Sequence, residues 1–365
     1  MYLYFCVIMK NKNWHVIGLM SGTSLDGVDL VFAKFNKEKH YTFEILKKET
    51  INYSEIWKNK LQNAFHYSGE KLGQLDTDYG TFLGTLILQF IAKNKLTNID
   101  FIASHGHTIF HQPEKNFTLQ IGNGATIAAI TNHKVICDFR KQDVALGGQG
   151  APLVPIGDQL LFSNYNYCLN LGGFANISFE KNNKRLAFDI CPVNIVLNYY
   201  TQKIGLEYDD KGVLATQGTF NKALFKTLNE LPFYTKHQPK SLGYEFVKNT
   251  ILPIIENYNI PIKDILRTYI EHVAFQISEV LKRNFISKKE TILITGGGAF
   301  NDFLIQRIES YSVAKIVIPT NDIINFKEAL IFAFLGLLKN ENKTNCLKSV
   351  TGASKNHSSG IIYNF

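Results

Sequence analysis

Cysteine is scarce and odd in number: Cys6, Cys137, Cys168, Cys191 and Cys346 lie far apart, and no two have the C-x-x-C spacing of a zinc or redox site. That excludes a disulfide scaffold and fits a reducing cytoplasm. Long apolar runs are missing too, since no stretch approaches the roughly 18–20 uncharged apolar residues that cross a bilayer. The apolar Met1–Ile8 segment is too short for a signal peptide and lacks a basic lead-in and a cleavage site. The start is Met1 or Met9, since the first convincing strand pattern begins only at Trp14. Basic blocks are also absent. Lys and Arg number 39 against 31 Asp and Glu, a net charge of +8, but they stand singly or in pairs such as Lys47-Lys48. That pattern reads as solvated surface, so neither nucleic acid nor membrane is an expected partner. The net positive field suits a small polyanion such as a nucleotide.

What is present is globular: 45% apolar and 19% charged residues exclude disorder, and 365 residues suggest two domains or two lobes. Short β-branched runs alternate with helix-period segments, which argues α/β. Trp14–Leu19 reads as a strand that breaks at Ser21-Gly-Thr-Ser-Leu-Asp-Gly27 and resumes as Val28–Phe35. The same grammar returns at Tyr167–Leu171, Gly172-Gly-Phe-Ala-Asn176 and Ile177–Glu180. Two strand–glycine turn–strand units are what an internally duplicated fold shows. A division is expected near residue 133, giving lobes 1–133 and 134–365 with a cleft between them and the C-terminal segment able to pack back on the first. Between the two units, Gly80–Asn94 reads as a helix and Asp100–Ala103 as a strand ending at Ser104-His-Gly-His107. Asp264–Phe285 is the longest amphipathic helix, with Ile265, Leu266, Tyr269, Ile270, Val273, Ile277, Val280 and Leu281 on one stripe. Thr291–Thr295 is a strand entering Gly296-Gly-Gly298, and Phe326–Lys339 is the last helix.

Six segments carry chemistry. Gly18–Asp29 combines glycines, small hydroxyls and two carboxylates: backbone N–H groups can approach a phosphate, and Asp26 or Asp29 can face it through Mg²⁺. The bland reading is a tight hairpin with Asp29 capping it. Gly172-Gly173 and Gly296–Gly298 each follow an apolar strand, and neither is a P-loop nor G-x-G-x-x-G. Together with the first turn they point to a nucleotide. His107-x-x-x-His111 invites a metal, but no third ligand is evident, so cleft or structural histidines are the better reading. Arg140 can clamp a carboxylate or be tied to Asp138 or Asp143. Asp189, at the end of an apolar strand, can act as a general base or cap the following helix.

The order of these motifs resembles that of the anhydro-N-acetylmuramic acid kinases of bacterial cell-wall recycling, within the hexokinase, actin and Hsp70 ATPase superfamily. The resemblance covers nearly the whole chain. Its most specific parts are Gly18–Asp29 and Gly147-Gly-Gln-Gly-Ala-Pro-Leu-Val-Pro155. It implies a two-lobed duplicated ribonuclease H-like fold, ATP and Mg²⁺ as cofactors, and a cytoplasmic homodimer. The reaction it implies opens a 1,6-anhydro sugar with water and phosphorylates O6. By the same likeness Asp189 is the catalytic base. Gly22, Thr23, Ser24, Leu25 and Asp26 would contact ATP together with Gly27, Val28 and Asp29, and Asp26 would hold Mg²⁺ directly or through water. Gly172, Gly173 and Asn176, with Gly296, Gly297 and Gly298, would also line the nucleotide. Arg140, Asn194, Glu328 and His105 would meet the sugar.

The chain departs from the family pattern in three places. Asp189-Ile-Cys-Pro-Val-Asn194 carries Cys191 and Val193 where glycines are usual, which would penalise a backbone needing positive φ. His107 and Gln112 replace the usual glutamine and acidic residue. Asp158 stands where histidine is common. Two further readings are a catalytically silent sugar- or nucleotide-binding regulator and a metal-dependent carbamoyl-transfer enzyme.

Overall fold

The computed structural model describes residues 12–22, 25–236, 240–284, 289–312 and 314–365. The apolar leader, Met9, and Thr23 and Ser24 of the first glycine turn lie outside these. Among the described residues no helix is long and apolar enough to cross a membrane.

The first sheet begins as an antiparallel meander of β1 (Lys12–Ser21), β2 (Gly27–Lys37) and β3 (Tyr41–Asn52). β4 (Phe101–Gln112) joins parallel to β1, β5 (Phe117–Ile121) folds back on β4, and β6 (Val135–Cys137) runs parallel to β4. Trp14, Val16, Ile17 and Leu19 of β1 are all buried, as a central strand covered on both faces requires. A Cβ at Gly18 would run into Ala329 and Ala333 of the helix above it, so only glycine lets helix and strand approach this closely.

The second sheet repeats this order. β7 (Tyr167–Leu171), β8 (Phe174–Lys181) and β9 (Lys184–Pro192) form a meander, and β10 (Thr291–Thr295) and β11 (Lys315–Val317) add in parallel beyond β7. The paths β3-β2-β1-β4-β6 and β9-β8-β7-β10-β11 match strand for strand. This is the expected duplicated ribonuclease H-like α/β fold, written twice in one chain.

The chain divides into two compact units, Met1–Leu161 with Phe326–Phe365, and Phe162–Asn325. The first crossing falls later than the expected 133/134 boundary because β6 pairs with β4, which keeps the residues just past 133 in the first unit. The C-terminal segment belongs to the first unit, where β12 (Ile361–Tyr363) lies antiparallel to β6.

Three helices frame the two sheets. α1 (Gly69–Asn94) is capped by Ser68 and buries Leu75, Tyr79, Leu83, Leu86, Ile87 and Phe90. It starts well before Gly80, because its first turns are polar and carry no apolar period. α2 (Ile262–Asn284) buries the whole predicted stripe. α3 (Asn321–Asn340) buries Ala329 to Leu335, Leu337 and Leu338 within the fold.

Candidate functional site

In the first unit the glycine turn joins β1 to β2. Leu25 takes a left-handed backbone (φ 62°) and donates its N–H to Gly22 O at 3.4 Å. Gly27 opens β2, Val28 is fully buried, and Asp26 is exposed. Asp29 is no hairpin cap: it sits opposite Thr50 in the sheet and accepts the Thr50 hydroxyl at 2.6 Å. Burial pushes the Asp29 carboxyl up, the Thr50 bond offsets part of this, and the Asp26 charge adds to it. Two neighbouring carboxylates are a hard oxygen donor set, and Asp29 keeps Oδ2 outside the Thr50 bond. This donor set fits Mg²⁺, which would relieve their repulsion.

Behind the turn lies a hydroxyl–imidazole chain that the sequence pattern did not reveal. Ser21 Oγ meets Tyr53 OH at 2.5 Å and His107 Nδ1 at 2.8 Å, and Tyr53 OH continues to Tyr79 OH at 2.5 Å. Burial lowers the His107 pKa to about 4, so the ring is neutral. His111 bonds Thr118 instead, at 3.2 Å. Both histidines lie on β4, where i and i+4 share no helical face. The strand runs through Ser104-His-Gly-His107 rather than ending there, because β5 pairs along its second half. Among the described residues no three-ligand group includes either histidine.

Arg140 and Glu328 also belong to this unit. Arg140 donates Nε–H to His105 Nε2 at 2.9 Å and Nη1–H to Gly150 O at 2.7 Å. The expected ion pair with Asp138 or Asp143 does not form: Asp138 pairs with Lys141 at 2.9 Å, and Asp143 accepts Gly150 N–H at 2.7 Å. His105 is 4% exposed, so it stands behind the guanidinium rather than in the open. Its Nδ1 faces Gly106 O at 2.9 Å, which fixes Nε2 as the acceptor. Burial first, and the adjacent Arg140 charge second, hold the ring well below its usual pKa. Glu328 reaches solvent although protein crowds it on most sides; that crowding raises its carboxyl, and Arg140 and then Lys327 pull it back. Asp158, one of the departures, forms a buried ion pair with Lys327 at 2.7 Å. The substitution is thus answered inside the fold.

In the second unit the register of β7, β8 and β9 lines up Asn170, Asn176 and Asp189. Paired residues share a face, so Asp189 stands beside Asn176 and two strands from Asn170. Asp189 lies inside β9 rather than at its end, and the cap of the next helix, Asn194–Gln202, is Val193. Asp189 Oδ2 accepts Leu242 N–H at 2.8 Å. Burial raises its carboxyl, and that bond lowers it in part. Cys191 and Val193, the replaced glycines, are fully buried, and neither needs positive φ: Val193 has φ −130°. The departure therefore needs no left-handed backbone.

Gly172 and Gly173 form the β7–β8 turn, and their carbonyls accept Asn194 N–H at 3.3 Å and Val193 N–H at 2.7 Å. Gly296 follows β10 with φ 81°, and a Cβ there would lie 2.6 Å from Asn170 Oδ1. Asn194 Nδ2 bonds Leu171 O at 3.2 Å and would lie 3.6 Å from a Cβ on Gly297, and its Oδ1 equally far from one on Gly298. Beside them opens a cavity of about 650 Å³, lined by Asn194, Gly297, Phe300, Asn301, Asp209 and Ile318 among others. Asn170, Asp209 and Phe300 had no signal in the sequence beyond their neighbours' motifs.

A glycine turn on each of two matching sheets, with carboxylates on the strands beside them, defines a protein of the duplicated ribonuclease H-like class. The profile of the anhydro-N-acetylmuramic acid kinase family matches residues 14–365. The chain is 31% identical over 387 aligned residues to the anhydro-N-acetylmuramic acid kinase of Haemophilus influenzae, covering 98% of this chain and 99% of that one. It is 34% identical over 370 residues to that of Photobacterium profundum, covering 95% and 98%. Among solved structures it is similar to an activator of 2-hydroxyisocaproyl-CoA dehydratase from Clostridium difficile, at 14% identity and a TM-score of 0.45 over 90% of this chain and 97% of that one, a likeness too loose to bear on function. The chain belongs to the anhydro-N-acetylmuramic acid kinase family and is a sugar kinase. Neither the silent regulator nor the carbamoyl-transfer reading is favoured.

Proposed function

We propose that the protein is an ATP- and Mg²⁺-dependent kinase that opens 1,6-anhydro-N-acetylmuramic acid with water and phosphorylates its O6. The family match from residue 14 to the last residue carries this reading. Asp189 takes a proton from the attacking water as its oxygen bonds C1. The C1–O6 bond breaks, O6 attacks the γ-phosphorus, and ADP leaves. The buried Asp189 carboxylate, steadied by Leu242 N–H, suits a base held in one orientation. Asn194, expected at the sugar, lines the cavity beside Gly297 instead, so it joins Asn176 and the glycine turns Gly172-Gly173 and Gly296–Gly298 around the nucleotide, where the mixed apolar and polar cavity suits a base and ribose. Gly22–Asp29 cradles the phosphates, with Thr23 and Ser24 supplying hydroxyls. Asp26 would hold Mg²⁺, directly or through water, with Asp29 nearby; when bound, the ion neutralises charge on the phosphoryl oxygens. Arg140 engages the sugar carboxylate, Glu328 a sugar hydroxyl, and His105 supports Arg140.

A cytoplasmic homodimer is part of the same reading. The free cysteines Cys137, Cys168, Cys191 and Cys346 suit a reducing compartment. Product mass spectrometry after incubation with Mg·ATP and the anhydro sugar in ¹⁸O-water tests the reaction. A 6-phosphate carrying one solvent oxygen at C1, absent with Asp189→Asn, is expected. ATP binding without sugar turnover would overturn it.

A further inference from the structure

Cys346 and His357 face each other across a short antiparallel bridge near the end of the first unit. They exchange both backbone hydrogen bonds, Cys346 N–H to His357 O at 3.1 Å and the reverse at 3.2 Å. A pair bonded in this way turns both side chains to one face, with Cα atoms about 5.5 Å apart. Asp143 reaches the same point from the short helix Lys141–Ala145. All three side chains are buried, and one ligand atom from each lies within 4.8 Å of the other two.

The hydrogen bonds leave one lone pair unanswered. His357 Nδ1 lies 3.2 Å from Lys355 O, so that nitrogen carries the donated proton. Nε2 then presents a lone pair, is buried, and has no hydrogen-bond partner. What it faces is Asp143 Oδ1, another acceptor, at 3.6 Å. His357 is only 7% exposed, so bulk water does not solve the mismatch. Asp143 is already oriented by the Thr351 hydroxyl on Oδ1 at 2.8 Å and Gly150 N–H on Oδ2 at 2.7 Å, and Oδ1 keeps lone-pair capacity. Two acceptors turned towards each other beside a thiol call for a cation.

We propose that Asp143, Cys346 and His357 bind a structural zinc ion. A thiolate, an imidazole and a carboxylate form a borderline-soft ligand set that suits Zn²⁺, whereas Mg²⁺ takes hard oxygens. The 3.6 Å N···O separation is close to the roughly 3.3 Å edge of a tetrahedron with bonds of about 2.0 Å. The far imidazole nitrogen rests on a backbone carbonyl and the carboxylate on a hydroxyl, the outer support that metal ligands usually have. Binding forms the Cys346 thiolate and releases its proton to solvent.

The ion would fasten the C-terminal segment to the glycine-rich loop. Gln149 N–H already bonds Thr351 O at 2.7 Å, and Ser354 N–H bonds Leu146 O at 3.0 Å. Gly150, held by Asp143 through its N–H, gives its carbonyl to Arg140. Zinc is thus a positioning device for Arg140.

Titration of the full-length chain, stripped of metal by a chelator, with Co²⁺ tests this directly. One Co²⁺ per chain with a thiolate-to-cobalt charge-transfer band is expected, displaced by Zn²⁺, lost in Cys346→Ser and retained in Cys137→Ser. Zn²⁺ at about a hundredfold excess over Kd should raise the wild-type Tm by roughly 3–4 °C and leave His357→Asn unmoved. Wild-type protein with no charge-transfer band at one equivalent, or a band that survives Cys346→Ser, overturns the proposal. In that event the site is a plain imidazolium–carboxylate contact.

Discussion

The guanidinium of Arg140 rests on the imidazole of His105, Nε to Nε2 at 2.9 Å, rather than on a carboxylate. Nη2 has no protein hydrogen bond among the described residues, so one edge of the group stays open to an anionic ligand. Arg140→Lys should raise the sugar KM by roughly 10- to 100-fold, because an ammonium cannot bond imidazole, Gly150 O and a carboxylate together. His105→Phe removes the acceptor while keeping a buried ring. It should raise KM less, with ATP KM unchanged in both variants. Steady-state kinetics with each substrate varied check this, and a sugar KM that ignores Arg140→Lys would sink the assigned role.

Asp189 titrates above the ordinary aspartate value because it is buried, with Leu242 N–H giving back part of the shift. A base works only when ionised, so kcat should fall as pH drops through this raised value. Asp189→Asn should lose roughly 10²- to 10⁴-fold in kcat and with it the acid limb of the profile. An acid limb that persists in the variant's residual activity would assign the titration to another group.

Gly296 combines φ 81° with a missing Cβ that would press on Asn170 Oδ1 and the Leu171 carbonyl. Gly296→Ala should destabilise the protein by about 2 kcal/mol or more, since a backbone at φ 81° and ψ 165° is held almost only by glycine and costs other residues roughly 1–3 kcal/mol. ATP KM should rise with it. Thermal melts and nucleotide titration read the two effects separately, and wild-type values in both would remove Gly296 from the nucleotide site.

Much of this site was legible because its chemistry sits in short local turns. Gly22–Asp29, Gly172-Gly173 and Gly296–Gly298 each interrupt an apolar strand, and that contrast survives in one dimension. The β3 strand was not read: its Tyr41-Thr-Phe-Glu-Ile45 alternation breaks at a bulge around Leu46 and runs on into Lys47, Lys48 and Glu49 of an edge strand. The Tyr79–Tyr53–Ser21–His107 chain was equally hidden, since its members come from three separate elements and a loop. Asn170 aligns with Asp189 only through the register of two hairpins. The role of His105 could not be read either, because burial decides whether an imidazole meets a ligand or braces the residue that does.

Asp158 and Lys327 are 4% and 5% exposed and lie 2.7 Å apart. Taking the carboxylate away leaves a buried ammonium facing a neutral group, which typically costs about 3–5 kcal/mol. Asp158→Ala should therefore melt well below wild type, and Asp158→Ala/Lys327→Met should recover much of the loss. A single variant as stable as wild type would mean that the pair carries little of the packing between Pro155–Leu161 and α3.

Buried imidazoles set a pH limit on stability, His107 and His272 and with them His105. Burial lowers His107 to about 4 and His272 to about 3, against an ordinary value near 6.5. His272 is held neutral, with Nδ1 facing Asn229 Oδ1 at 2.7 Å and Nε2 facing Tyr234 OH at 3.0 Å. Both pKa values are depressed on folding, so below pH 6.5 the unfolded chain binds protons that the folded chain refuses. Their contribution is complete above pH 6.5 and shrinks as pH falls, by about 2 kcal/mol per ring between pH 6.5 and 5. The raised carboxylates Asp29, Asp189 and Glu328 act in the opposite sense, gaining protons more readily when folded. They titrate from lower unfolded values, so the histidines dominate the upper part of this window. Urea denaturation at pH 7, 6 and 5 should show stability declining towards acid. His272→Phe lowers stability outright but should flatten that decline by about 2 kcal/mol, and an unchanged slope would show that the imidazole is already protonated in the folded protein.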